Sequence, residues 1–193
     1  MTQAPIRNQD SPLDTVLAYW ETLRGGRTAP ARAEIDPAAI ARALESCCIA
    51  EIVAPGVARF RLAGRAFGDL VGMEPRGMPL SCLFSPSARA ELARAILHVG
   101  QGARVMLPLR GERQFLGPDL SGDILLLPLA DHTGAITRLL GVIQTRGRVT
   151  RPGRRFDLAG PETRHAPSAQ PPVAPSPQTP PRPALRVIEG GKR

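Results

Sequence analysis

The sequence lacks most of what a membrane, secreted or enzymatic protein needs. No window approaches the roughly eighteen consecutive apolar residues of a membrane span, and the amino terminus, MTQAPIRNQD, has no hydrophobic core of a leader peptide. The expectation is therefore a cytoplasmic chain without a membrane partner. Its three cysteines form no CxxC and suit a reducing compartment better than a disulfide framework. No GKS or GKT phrase is present. Gly64, Gly68 and Gly72 are spaced wrongly for a dinucleotide fingerprint. No two acidic residues have a spacing that fixes an acid–base mechanism. Lysine is nearly missing too: twenty-four of the 25 basic residues are arginine, which fits a compositional bias of the source as well as phosphate binding.

What is there amounts to one domain and a tail. In 193 residues, 42% are hydrophobic, enough for a core of ordinary size. The formal charge of +8 is unevenly placed, with +6 of it after Arg146. Residues 147–193 hold ten prolines and few apolar side chains, which predicts an extended, disordered Pro/Arg-rich tail. Its end, ALRVIEGGKR, groups Leu185, Val187 and Ile188, either as a short strand for a sheet edge or partner or as an apolar end without a role. Residues 1–10 are expected to be disordered as well.

Ser11, Pro12 and Asp14 predict a capped helix start, and Gly25-Gly26 its stop. Leu13, Val16, Leu17, Trp20 and Leu23 recur at helical spacing and form one apolar stripe that must be covered. Asp36-Pro37 opens a shorter helix to Leu44. The apolar runs Cys47 to Val53 and Ala58 to Leu62 flank Pro55-Gly56 as a hairpin. Arg65 to Val71 reads as one short helix with Gly72 as its stop, and Ser85-Pro86 opens a longer one carrying Leu92, Ile96 and Val99. Three further strands are predicted at Ala103 to Leu109, Asp123 to Leu129 and Ile136 to Gln144. The sum is an α+β domain over residues 11–146, a five-stranded antiparallel sheet with helices on one face.

This order, with the phrases YWETLRGGR, IDPAAIARAL, ARFRLAG, RAFGDLVGMEPRGMPL and ILLLPLADHTGAITRLLGVI, resembles the PAS domain family, in particular compact PAS-like proteins of alphaproteobacteria. The resemblance implies that the segment after the second strand lies over the sheet and encloses a ligand space or relays a change to a partner. It sets Phe67, Leu70 and Val71 toward the inner surface, with Phe60 and Leu62 nearby. The same five residues would equally serve as plain core. It also implies a second role for the Trp20 stripe, because a helix before a PAS domain often packs on a second copy or a partner. Folding back on its own sheet is the alternative.

Other candidates carry less. Cys47 and Cys48 point to opposite faces of a strand, which suits packing and not a shared metal. Cys82 lacks a recognisable base. The asparagine-cysteine-arginine-phenylalanine phrase of flavin-binding light sensors is absent. His98, the one histidine placed where a haem ligand could be, more simply suits the negative end of its helix. His132 falls in a turn and His165 in the tail. No cofactor is assigned. The functional expectation is a non-enzymatic PAS-type sensory or regulatory protein without an output domain, acting through a protein partner or homodimer and open to tuning by a small ligand. The alternative is a nucleic-acid-binding accessory role through the arginines of RGRVTRPGRR, Arg146 to Arg155, for which a solubilising linker is the plainer account.

Overall fold

The computed structural model describes residues 11–112, 119–147 and 153–166. Leu185, Val187 and Ile188 lie outside the described residues, as does part of Arg146 to Arg155.

The first helix, α1 (Pro12–Arg24), starts and stops where the sequence places it, with Gly25 left-handed at φ 53°. Its cap differs. Ser11 makes no side-chain bond to the first turn; its Oγ donates instead to Gln144 Oε1 at 2.8 Å and ties the helix start to the sheet. The second expected helix is a 3-10 segment, Pro37–Ser46, entered through Asp36, whose carboxylate accepts from Ala38 N at 2.9 Å. Three residues per turn bring Ile40 and Ala43 onto one line, and both are buried. The segment kinks at Ile40, where φ is −117° and ψ is 24°.

Five strands follow the sequence reading closely: β1 (Cys47–Ala54), β2 (Val57–Ala63), β3 (Arg104–Gly111), β4 (Ser121–Ala130) and β5 (Ile136–Arg146). Helices α2 (Arg65–Val71) and α3 (Arg89–Gly100) lie between β2 and β3. Every strand pairing is antiparallel, in the order β2-β1-β5-β4-β3-β6. The sixth and seventh strands were not expected. Both β6 (Phe156–Leu158) and β7 (Thr163–His165) pair with β3, inside the stretch assigned to the tail, so the ordered domain passes the expected limit at Arg146. Phe156 is the reason: it is fully buried in the main core, and its carbonyl accepts from Ser85 N at 3.0 Å.

The sheet is covered on both faces, where helices on one face were expected. On one side α2, α3 and the turns between them bury Phe60, Phe67, Leu92, Ile96, Leu126 and Ile143. On the other, α1 and the 3-10 segment cover Ile49, Leu125, Leu127, Leu129, Leu140 and Val142. This double cover explains why β4 reads ILLLPL without alternation, since a strand buried on both sides needs apolar residues at every position. Pro128 is tolerated there because the pairing of β3 with β4 reaches only to Leu126, so its missing N–H deprives no bond from β3.

Two glycines are required where they stand. A side chain at Gly64 would begin 2.4 Å from the carbonyl oxygen of Glu45, so the backbone of the 3-10 segment itself forbids one. Gly72 ends α2 at φ 84°, a left-handed conformation, with its N–H on the Gly68 carbonyl at 2.7 Å.

Candidate functional site

The inner layer takes up three of the five residues expected at a ligand space. Phe60 and Phe67 meet edge to face with centroids 5.6 Å apart, both wholly buried, and Leu70 joins them in the same core. Val71 is half-buried at the margin of that core. Leu62 is elsewhere. The β1–β2 register pairs Ala50 with Phe60 but Ile49 with Leu62, leaving Arg61 as the extra residue of a bulge. One inserted residue reverses the side on which the next side chain emerges, so Leu62 faces the α1 side and is 53% exposed.

Helix α1 lies on its own sheet. Leu13, Val16 and Trp20 are buried there, and Leu17 and Leu23 pack partly buried against the same cluster. The Trp20 indole N–H donates to the Pro128 carbonyl at 3.0 Å, and Arg24 stacks over the ring at 5.5 Å. The stripe once open to a second copy is therefore spent within the chain, the alternative left standing by the sequence.

On that face the cover is incomplete. Between the 3-10 segment and the β1–β2 edge lies a cleft of about 520 Å³ whose walls include Ile35, Ile40, Leu44, Ile49, Leu62 and Leu140. Leu44 is 43% exposed, so two leucines from opposite walls meet solvent across an apolar floor. Charge at its rim comes from Arg32, Glu45 and Arg65, the last 3.5 Å from Asp69. Nothing in residues 35–62 announces this cleft. The leucine of a strand and the leucine of a predicted helix each look like core until the bulge and the 3-10 geometry turn them outward.

The thiols are held protonated. Burial pushes Cys47 up to about 12, and its Sγ donates to the Ala43 carbonyl at 3.2 Å. Cys48 is pushed higher still by burial and by Cys47 beside it; its Sγ fills the space over Gly141, where a side chain would begin 2.6 Å away. Cys82, in the 3-10 turn Leu80–Leu83, is also raised by burial, against the opposite pull of its own backbone N–H and of Arg155. His98 ends α3 as expected and has Nδ1 2.7 Å from Glu162 Oε1, near enough for an ion pair when protonated though off the line of a hydrogen bond. His132 and His165 are exposed. Among the described residues no three His, Cys, Asp or Glu side chains gather as metal ligands, and no helix is long and apolar enough to cross a membrane.

A family model described as PAS domain matches residues 8–144. The chain belongs to the PAS domain family. PAS domains are sensory and regulatory modules, and membership gives this chain a role of that broad kind. Among solved structures it is similar to the dark structure of the blue-light photoreceptor Aureochrome1 LOV, at 19% identity and TM-score 0.44 over 56% of this chain and 80% of that one. It is similar to the light state of the same domain at 20% identity and TM-score 0.39, over 55% and 84%. An RNA-binding Light-Oxygen-Voltage receptor matches at 22% identity and TM-score 0.42, over 60% of this PAS chain and 35% of that one. No functionally curated protein matches it.

Proposed function

We propose that this PAS protein is a cytoplasmic regulatory module that works by protein contact and catalyses no reaction, with the cleft between the 3-10 segment and the β1–β2 edge as its contact surface. The observation that carries this reading is the exposure of Leu44 and Leu62 across one apolar floor; of the other described leucines Leu97 alone is comparably open, and it lies on α3, away from this cleft. Apolar side chains facing each other across a groove gain most when a partner's side chain enters between them. The raised thiols support the non-catalytic part, because a protonated, buried sulfur is a poor nucleophile.

The test compares a tagged full chain with its Leu62→Asp variant in pull-downs from the source cell, with quantitative mass spectrometry and light scattering on both. A protein retained by the native chain and lost with Leu62→Asp, at unchanged melting temperature, supports the cleft. Equal retention by both overturns it as the contact surface. A monomer that retains nothing overturns the contact reading as a whole.

A further inference from the structure

A second cleft, of about 350 Å³, opens on the opposite side of the sheet, bounded by the exit of α2, the turn before α3 and the chain leading into β6. Leu70, Val71, Met73, Met78 and Cys82 give it an apolar floor. Arg89, Arg154 and Arg155 supply its charge, and among the described residues no Asp or Glu lines it. Arg154 is built in: it is 4% exposed, and its Nη2 donates to the Glu112 carbonyl at 3.0 Å. Arg89 and Arg155 are exposed, and among the described residues neither guanidinium lies in an ion pair, as is also true of Arg32, Arg42, Arg59, Arg76, Arg110, Arg138 and Arg164; what sets these two apart is that both line one apolar cleft.

Arg89 is the first residue of α3, the end of a helix where negative charge is favoured and a cation is not. Its own carboxylate neighbour in sequence, Glu91, is engaged with Arg94. Asp157, the acid of β6, is likewise held by the hydroxyls of Ser85 and Ser87. Arg89 and Arg155 are therefore left without a counter-charge among the described residues, above methionines that adapt to the shape of an apolar guest. A guanidinium pairs best with a planar carboxylate, and the floor best with a chain or ring. At about 30 Å³ for a group the size of water, the volume takes about twelve non-hydrogen atoms.

We propose that this cleft binds a small amphipathic carboxylate, a straight-chain or aromatic acid, with its head on Arg89 and Arg155 and its apolar part over Val71, Met73 and Met78. The site goes beyond the contact reading and stands whether or not that reading holds.

Octanoate is the probe, with 1-octanol lacking the charge and acetate lacking the tail, each titrated calorimetrically into the full chain. Cys82 supplies a second readout, since it lines this cleft while Cys47 and Cys48 are buried elsewhere. Its alkylation by iodoacetamide at alkaline pH is followed by mass spectrometry. Octanoate is expected to bind saturably and to slow labelling of Cys82. The Arg89→Ala/Arg155→Ala variant is expected to bind at least about tenfold more weakly, the loss of one charge-assisted bond, while the exposed Arg42→Ala, which lines neither cleft, binds as the native chain does. Binding of octanol as tight as octanoate, undiminished binding by the double variant, or unprotected Cys82 would each overturn the proposal. So would capture by anionic phospholipid vesicles without any response to free octanoate, which would make the rim a lipid-headgroup surface.

Discussion

The two faces of the sheet are finished differently. The inner face is closed over its centre by α2, α3 and the turns between them around the Phe60–Phe67 pair, with Phe156 of the extra strand β6 in the same core and the second cleft left only at the rim. The outer face is closed at one end by α1, a regular helix with Trp20 locked to Pro128, and at the other by a kinked 3-10 segment that leaves Leu44 and Leu62 in solvent. Regular helix covers a sheet well because 3.6 residues per turn spread apolar side chains into a wide stripe; a three-residue repeat gives a single narrow line. Where the outer face uses the narrow line, a cleft remains.

The comparison is broken most severely from its well-packed parts. Phe60→Ala and Trp20→Ala should each cost about 3–5 kcal/mol in urea unfolding, one from each face. Their effects should add, since the two side chains lie on opposite sides of the sheet and share no partner. If Trp20→Ala cost less than about 1 kcal/mol, α1 would not be a fixed part of the domain. Phe156→Ala should come close behind, at about 3 kcal/mol, with a similar loss in a chain ended at Arg146. A truncated chain as stable as the full one would return β6 to the tail.

Leu17→Asp sharpens the outer face itself. It sets a charge at the partly buried flank of α1 and should cost about 1–3 kcal/mol, while Leu62→Asp should stay within about 0.5 kcal/mol. Equal costs would erase the distinction between the covered and the open end. The smallest effect is one of pH. The Ser85 and Ser87 hydroxyls hold the Asp157 carboxyl below its ordinary 3.8, so its contribution is present above that value and fades as pH falls through the lower folded one. Asp157→Asn should therefore flatten the acid limb of a stability–pH curve, and an unchanged limb would show that this contact does not couple to folding.

Much of this was legible in the residues. The apolar stripe of α1, the hairpin around Pro55-Gly56 and the strands β3 to β5 all follow from periodicity and turn chemistry, and the PAS phrases agree with them. The double cover was legible too, in the unbroken ILLLPL of β4, which favours the fold-back of the Trp20 stripe onto its own sheet over its packing on a second copy. The bulge was not legible, because an arginine between Phe60 and Leu62 looks like any outward strand residue. Nor was β6: one phenylalanine among prolines and arginines carries no period, and only the cavity it fills reveals its worth. The second cleft hides for the same reason, its arginines being far apart in a chain where arginine is everywhere.

Gly64 gives the asymmetry a further consequence. A side chain there would run into the carbonyls of Leu44 and Glu45, the Gly64 N–H donates to the Cys47 carbonyl at 2.8 Å, and the next residue begins α2. The outer wall and the inner layer thus meet at Gly64 on the sheet's rim, where no room is left for a side chain. Any residue larger than glycine at position 64 would therefore have to displace the backbone of the wall that carries Leu44.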